Sequence, residues 1–145
     1  MPTYIGQEVG PDYRGVPRRM STEDVDLWFR FRERHIIHPT RLLFDVGVGR
    51  GKADQEGIPL PWQDFWMRET QRRIDLLAIE PERQIIIEFR KHALANALGR
   101  LIVYRQLLNL DPVSDLPLET WIVTDSRDPE LAALFDQYGI KWLTV

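Results

Sequence analysis

The sequence predicts a single α/β domain, a central mixed sheet flanked by helices in the order α-β-β-β-α-β-α-β, behind an extended N-terminal arm. Two short apolar runs, 72–79 and 84–90, sit on either side of a four-residue turn and read as a hairpin. A long helical period follows at once, over 93–109. The remainder alternates strand, helix and strand to the last residue. At 145 residues the chain suits one core, and 43% apolar with 28% charged residues excludes a disordered segment.

Residues 1–20 carry three Pro, three Gly and two Tyr without a helical or strand period. Such an arm has no core of its own. It is expected either to fold back on its domain or to lie along a partner subunit, with Tyr4 and Tyr13 as contact residues. The domain proper then spans 21–145.

Ser21 or Thr22 N-caps the first helix, with Glu23, Asp24 and Asp26 in its first turn and Arg32, Arg34 and His35 at its end. Leu27, Trp28 and Phe31 form its apolar stripe. Residues 42–46 read as a strand ended by Gly47, Gly49 and Gly51. A long loop, 47–71, is expected next, with one turn of helix carrying Trp62, Phe65 and Trp66. Asp111-Pro112 stops the 93–109 helix, and a strand follows at 119–124. Asp125 or Ser126 caps a helix at 128–138, Gly139 ends it, and 140–145 form the last strand.

One carboxylate sits in each arm of the hairpin, Asp75 and Glu88. Alternation puts Ile86, Glu88 and Arg90 on one face of their strand. Asp75 joins them if Ile79 pairs with Gln84; a three-residue loop without a bulge would send the two acids to opposite faces. In the helix that follows, Asn96, Arg100 and Tyr104 share an i, i+4 row, while Leu94, Leu98, Leu101 and Leu108 face the sheet.

These residues resemble the core of the PD-(D/E)xK, or restriction-endonuclease-like, nuclease superfamily. Asp75 matches the acid of the second strand, and Glu88-Phe89-Arg90 stands where that family has E-x-K. Gly99-Arg100-Leu101-Ile102-Val103-Tyr104 stands where many members have G-Q-x-x-x-Y, and the likeness in element order spans roughly 22–145. In active members the two carboxylates hold Mg²⁺ and the Lys orients or deprotonates the attacking water. Here Arg replaces both the Lys and the Gln. A guanidinium stays protonated, so Arg90 is no general base, and its fork prefers a carboxylate. Arg90 and Arg100 are therefore expected to neutralise Asp75 and Glu88 in place of a metal, leaving a degenerate member without a cofactor.

The expected function is that of a non-catalytic structural or assembly module. It docks on partner subunits through the arm and the Trp62/Trp66 loop, as a bacteriophage head-tail connector or completion protein would. The alternative is a Mg²⁺-dependent DNA nuclease, with Asp75 and Glu88 as metal ligands and Arg90, Arg100 and Tyr104 completing its site.

Other features exclude more than they offer. Without cysteine there is no disulfide framework, thiolate nucleophile or Cys-ligated metal. No apolar run reaches membrane-span length and no secretory h-region follows Met1, so a cytoplasmic protein, or a virion part, is expected. Residues 1–105 hold 17 of the 19 Lys and Arg with 15 of the 22 acids, whereas the last forty are strongly acidic. With a pI near 5.6, the blocks Arg18-Arg19, Arg30/Arg32/Arg34 and Arg68/Arg72/Arg73 read as solvated or ion-paired rather than as a nucleic-acid footprint. His35 and His38 lack a third ligand and read as helix-end residues. Gly47-Val48-Gly49-Arg50-Gly51-Lys52 lacks phosphate-loop spacing and reads as a turn.

Overall fold

The computed structural model describes residues 3–52, 57–92 and 94–145. Positions 1, 2, 53–56 and 93, which the expected arm, loop and helix start include, lie outside the described residues. The order is β1 (Tyr4–Val9), α1 (Thr22–Glu33), β2 (Arg41–Val48), α2 (Leu60–Thr70), β3 (Arg72–Ile79), β4 (Gln84–Phe89), α3 (Leu94–Leu110), β5 (Leu118–Thr124), α4 (Pro129–Gln137) and β6 (Ile140–Thr144). All six strands form one mixed sheet in sequence order, antiparallel from β1 to β4 and parallel from β4 to β6. Both parallel pairs are joined through a helix, α3 and α4, as parallel strands require; α1 and α2 connect antiparallel neighbours.

The sheet is buried on both faces. Leu27, Trp28 and Phe31 of α1 pack on Phe44, Leu76, Ile85, Ile87, Phe89 and Trp121. Ala97, Leu101, Tyr104 and Leu108 of α3, with Ala132 and Phe135 of α4, cover Leu43, Val46, Ile74, Leu77, Ile86 and Ile122 on the other. Double burial makes the middle of β4, residues 85–87, and most of β2 apolar without alternation.

Three elements differ from the sequence reading. The N-terminal segment, expected without a strand period, folds back on the domain as a strand: Tyr4–Val9 adds an antiparallel edge to β2, and Thr3 bonds Asp111 through both its N–H and its hydroxyl. Gly47 does not end β2 but lies within it, at a point where a side chain would collide with the Gln71 amide. The single turn expected around Trp62 is an eleven-residue helix that opens on prolines, with no side-chain cap to announce it.

Alternation breaks along one line across the sheet. Leu42 and Phe44 face α1, but Val46 and Val48 face α3; Leu76 and Ala78 face α1, but Ile74 faces α3. The break falls at Asp45, held at φ +55°, and at its neighbour Asp75. Gly6 in β1 is required there, since a Cβ would lie 2.5 Å from the Asp45 carbonyl oxygen.

Candidate functional site

Ile79 pairs with Gln84, the register that brings Asp75 and Glu88 together. The β3–β4 ladder stops at Leu76–Ile87. One step further the strands part and the carboxylates take over the lost bonds. The Asp75 N–H donates to Glu88 Oε1 at 3.1 Å, and the Phe89 N–H donates to Asp75 Oδ2 at 3.0 Å. Each acid thus satisfies a backbone donor of the opposite strand that the splay would orphan.

Arg90 closes the arrangement. Its Nε and Nη2 lie 3.2 and 3.1 Å from Glu88 Oε2, and the Glu88 carboxylate is wholly enclosed. Arg100 does not join it. Ala97, Leu101, Tyr104 and Leu108 make the buried stripe of α3, and Arg100 flanks that stripe, exposed and without an ion pair among the described residues. With Arg90, Asn96 and Ala97 it lines a cavity of ≈40 Å³. The expected balance of two guanidiniums against two carboxylates is therefore half met. Helical spacing chose the right side of the helix but could not report that so long a side chain finds water first.

The charge deficit is visible in the titration of the site. Burial raises both the Asp75 and the Glu88 carboxyl, and the Asp75 charge pushes Glu88 further up against the pull of Arg90. Tyr104, 5% exposed, is raised to about 12 by burial and then by the two facing carboxylates. For Arg90, burial opposes the charged form, yet Glu88 and Asp75 outweigh it and the net shift is upward.

Sequence reasoning missed two contributors. Asp24, in the first turn of α1, accepts the Lys91 N–H at 3.1 Å and so fixes the chain just past Arg90; the Ser21 hydroxyl donates to its other oxygen. Asp45 was read as an ordinary strand residue. It is buried, its Oδ2 accepts no hydrogen bond among the described residues, and Arg18, Arg73 and Arg19 stand 3.6, 3.7 and 3.8 Å from that oxygen. Burial raises its carboxyl against the pull of Arg73, Arg19 and Arg18. An acid inside LLFDVGV was the available signal.

The remaining candidates are scattered. Tyr4 lies under the Arg68 and Arg73 guanidiniums, and Tyr13 packs on Phe44 while its hydroxyl bonds Val16 O. Trp66 is half-buried, whereas Trp62 is 60% exposed, edge-on to an equally bare Phe65. His35 ends α1 at φ +49°, and the His38 N–H donates to Glu80. The basic blocks are largely engaged within the chain: Arg30 with Asp26, Arg32 with Tyr13 O, Arg34 with Thr144 O.

A divalent cation fits these residues poorly. Among the described residues no three His, Asp or Glu side chains converge, Glu88 is sealed from solvent, and its outer oxygen already carries a guanidinium. What fold and site define is an α/β domain, its six-stranded mixed sheet holding a buried Asp–Glu–Arg cluster where two strands part. No family model, curated protein or solved structure matches the chain.

Proposed function

We propose that this chain is a non-catalytic domain of restriction-endonuclease-like fold, serving as a structural and assembly module. A bacteriophage virion component, such as a head-tail connector or completion protein, is the setting that suits its size and lack of cysteine. One observation carries the reading: both acids of the motif have structural employment. They bond the opposite strand's N–H groups, and Arg90 occupies the side of Glu88 that a metal would need. Trp62 and Phe65, bare on α2, supply a surface for a partner.

A metal-dependent DNA nuclease is the second reading. The observation in its favour is the unmet charge: two buried carboxylates face one guanidinium, so a further positive charge would be welcome. Asp75 and Glu88 would then be the ligands, with Arg90 on the phosphate or water. Incubation of the protein with plasmid and single-stranded DNA in Mg²⁺ or Mn²⁺, beside an Asp75→Asn control, separates the two. We expect intact DNA in every lane; cleavage that the substitution abolishes would overturn the first reading.

A further inference from the structure

The chain carries an aromatic projection at one end of β2 and, at the other, a pocket with an apolar wall and a polar rim. The projection is the Trp62–Phe65 pair of α2, 60% and 56% exposed, with ring centroids 6.4 Å apart. Its helix is tied to the chain that follows β2 by the Lys52 N–H on the Thr70 hydroxyl. The pocket, ≈110 Å³, lies between the N-terminal segment and the end of α1, over the start of β2. Trp28, Phe31, Ile36, Ile37 and Leu42 make its apolar wall. A dry cavity of about 150 Å³ accepts a benzene ring, so an open one of this size admits the leading edge of an aromatic side chain.

The charges at the two places differ in balance. Arg14 and Arg32 line the pocket against one acid, Asp12, while Asp64 stands beside Phe65 in α2; Arg14 and Asp64 are exposed and neither forms an ion pair among the described residues. We infer that the pocket receives the Trp62–Phe65 projection of a second copy of this chain, with Arg14 of one copy meeting Asp64 of the other. This rests on the assembly reading above and deepens it, naming a second copy as one partner. Because the two surfaces differ and lie at opposite ends of a strand, the contact is head-to-tail, and copies add into a ring or an open row.

The contact is small. Two aromatic side chains bury roughly 150–250 Å² each, well short of the 1,200–2,000 Å² of a stable pair. Weak association, seen at roughly 100 μM and above, is therefore expected of the isolated chain.

Sedimentation velocity over a concentration series tests this, with circular dichroism melts to show that each variant folds. The doubly substituted Trp62→Ser, Phe65→Ser chain, changed only at exposed positions, should stay monomeric. Ile36→Glu, which puts a charge in the pocket, should also stay monomeric. Mixed in equal amounts, one variant has an intact pocket and the other an intact projection, so they should form a dimer that grows no further. Arg14→Glu should weaken association about tenfold, and adding Asp64→Arg to the same chain should restore it. A wild-type chain that remains monomeric throughout overturns the inference. So does association untouched by Ile36→Glu, which would mean that the rings pair with each other instead. DNA cleavage is scored separately, so loss of self-association leaves the non-catalytic reading standing.

Discussion

Asp75 and Glu88 satisfy the backbone where β3 leaves β4, and they do so at an electrostatic cost. Both oxygens that accept strand N–H groups belong to carboxylates, and among the described residues only Arg90 pairs with them. Because burial raises both carboxyls, the folded chain binds more protons than the unfolded one once pH exceeds the ordinary carboxylate range. The stability tied to that uptake is fully present below pH ~4, is lost as pH climbs, and is gone above the raised Glu88 value of about 8. Asp75→Asn keeps an amide oxygen for the Phe89 N–H and deletes one of the two charges. It should stabilise the protein at pH 8 by on the order of 1 kcal/mol, the worth of about one pKa unit, and flatten the profile. Urea titrations of both proteins from pH 4 to 9 would show it; a variant weaker than wild type at pH 8 would refute the account. Glu88→Gln is a worse exchange, since its amide nitrogen would face Arg90.

At the level of elements, the strands that carry the acids are held from outside the hairpin. Asp24 joins the start of α1 to the end of β4, so Asp24→Ala removes both a helix-cap interaction and the acceptor of the Lys91 N–H. A loss of roughly 2 kcal/mol is expected, along with faster hydrogen exchange at the Lys91 amide. Gly6→Ala should cost about 1–3 kcal/mol, because the obstructing atom is the Asp45 carbonyl and backbone cannot turn aside. The hairpin, α3 and the β5–α4–β6 tail were legible because period, turn residues and breakers agree there. β1 was hidden because YIGQEV stands among Pro and Gly and takes its order from β2, not from its own pattern. α2 was hidden because prolines open it and its aromatics stay exposed. In the site, hairpin spacing sufficed to join Asp75 to Glu88. The break of alternation at Asp45 was beyond reach, since it depends on Gly6, which lies against Asp45 on the neighbouring strand but far away in sequence.

For the whole molecule, the docked N-terminal segment changes what truncation should do. As a free arm it could be removed without harm to the domain. Instead β1 supplies an outer strand, Val9, Tyr13 and Met20 pack against the α1-side core, and Ile5 packs on the opposite face. Arg32 bonds the Tyr13 and Asp12 carbonyls from α1, and Thr3 reaches across to Asp111. Removing residues 1–20 would bare the β2 edge, a row of unpaired N–H and C=O groups flanked by Leu42, Phe44 and Val46. It would also take away Arg18 and Arg19, two of the three cations around the buried Asp45 among the described residues. Losses from the strand, the apolar contacts and the uncovered charge add to several kcal/mol, comparable with the ~5–15 kcal/mol that holds a domain of this size. The shortened chain should therefore aggregate or melt far below the full-length protein, as thermal circular dichroism and light scattering would record. A truncated chain that melts within a few degrees of the original would mean that β1 is an accessory, and that the domain stands on the five strands from β2 to β6.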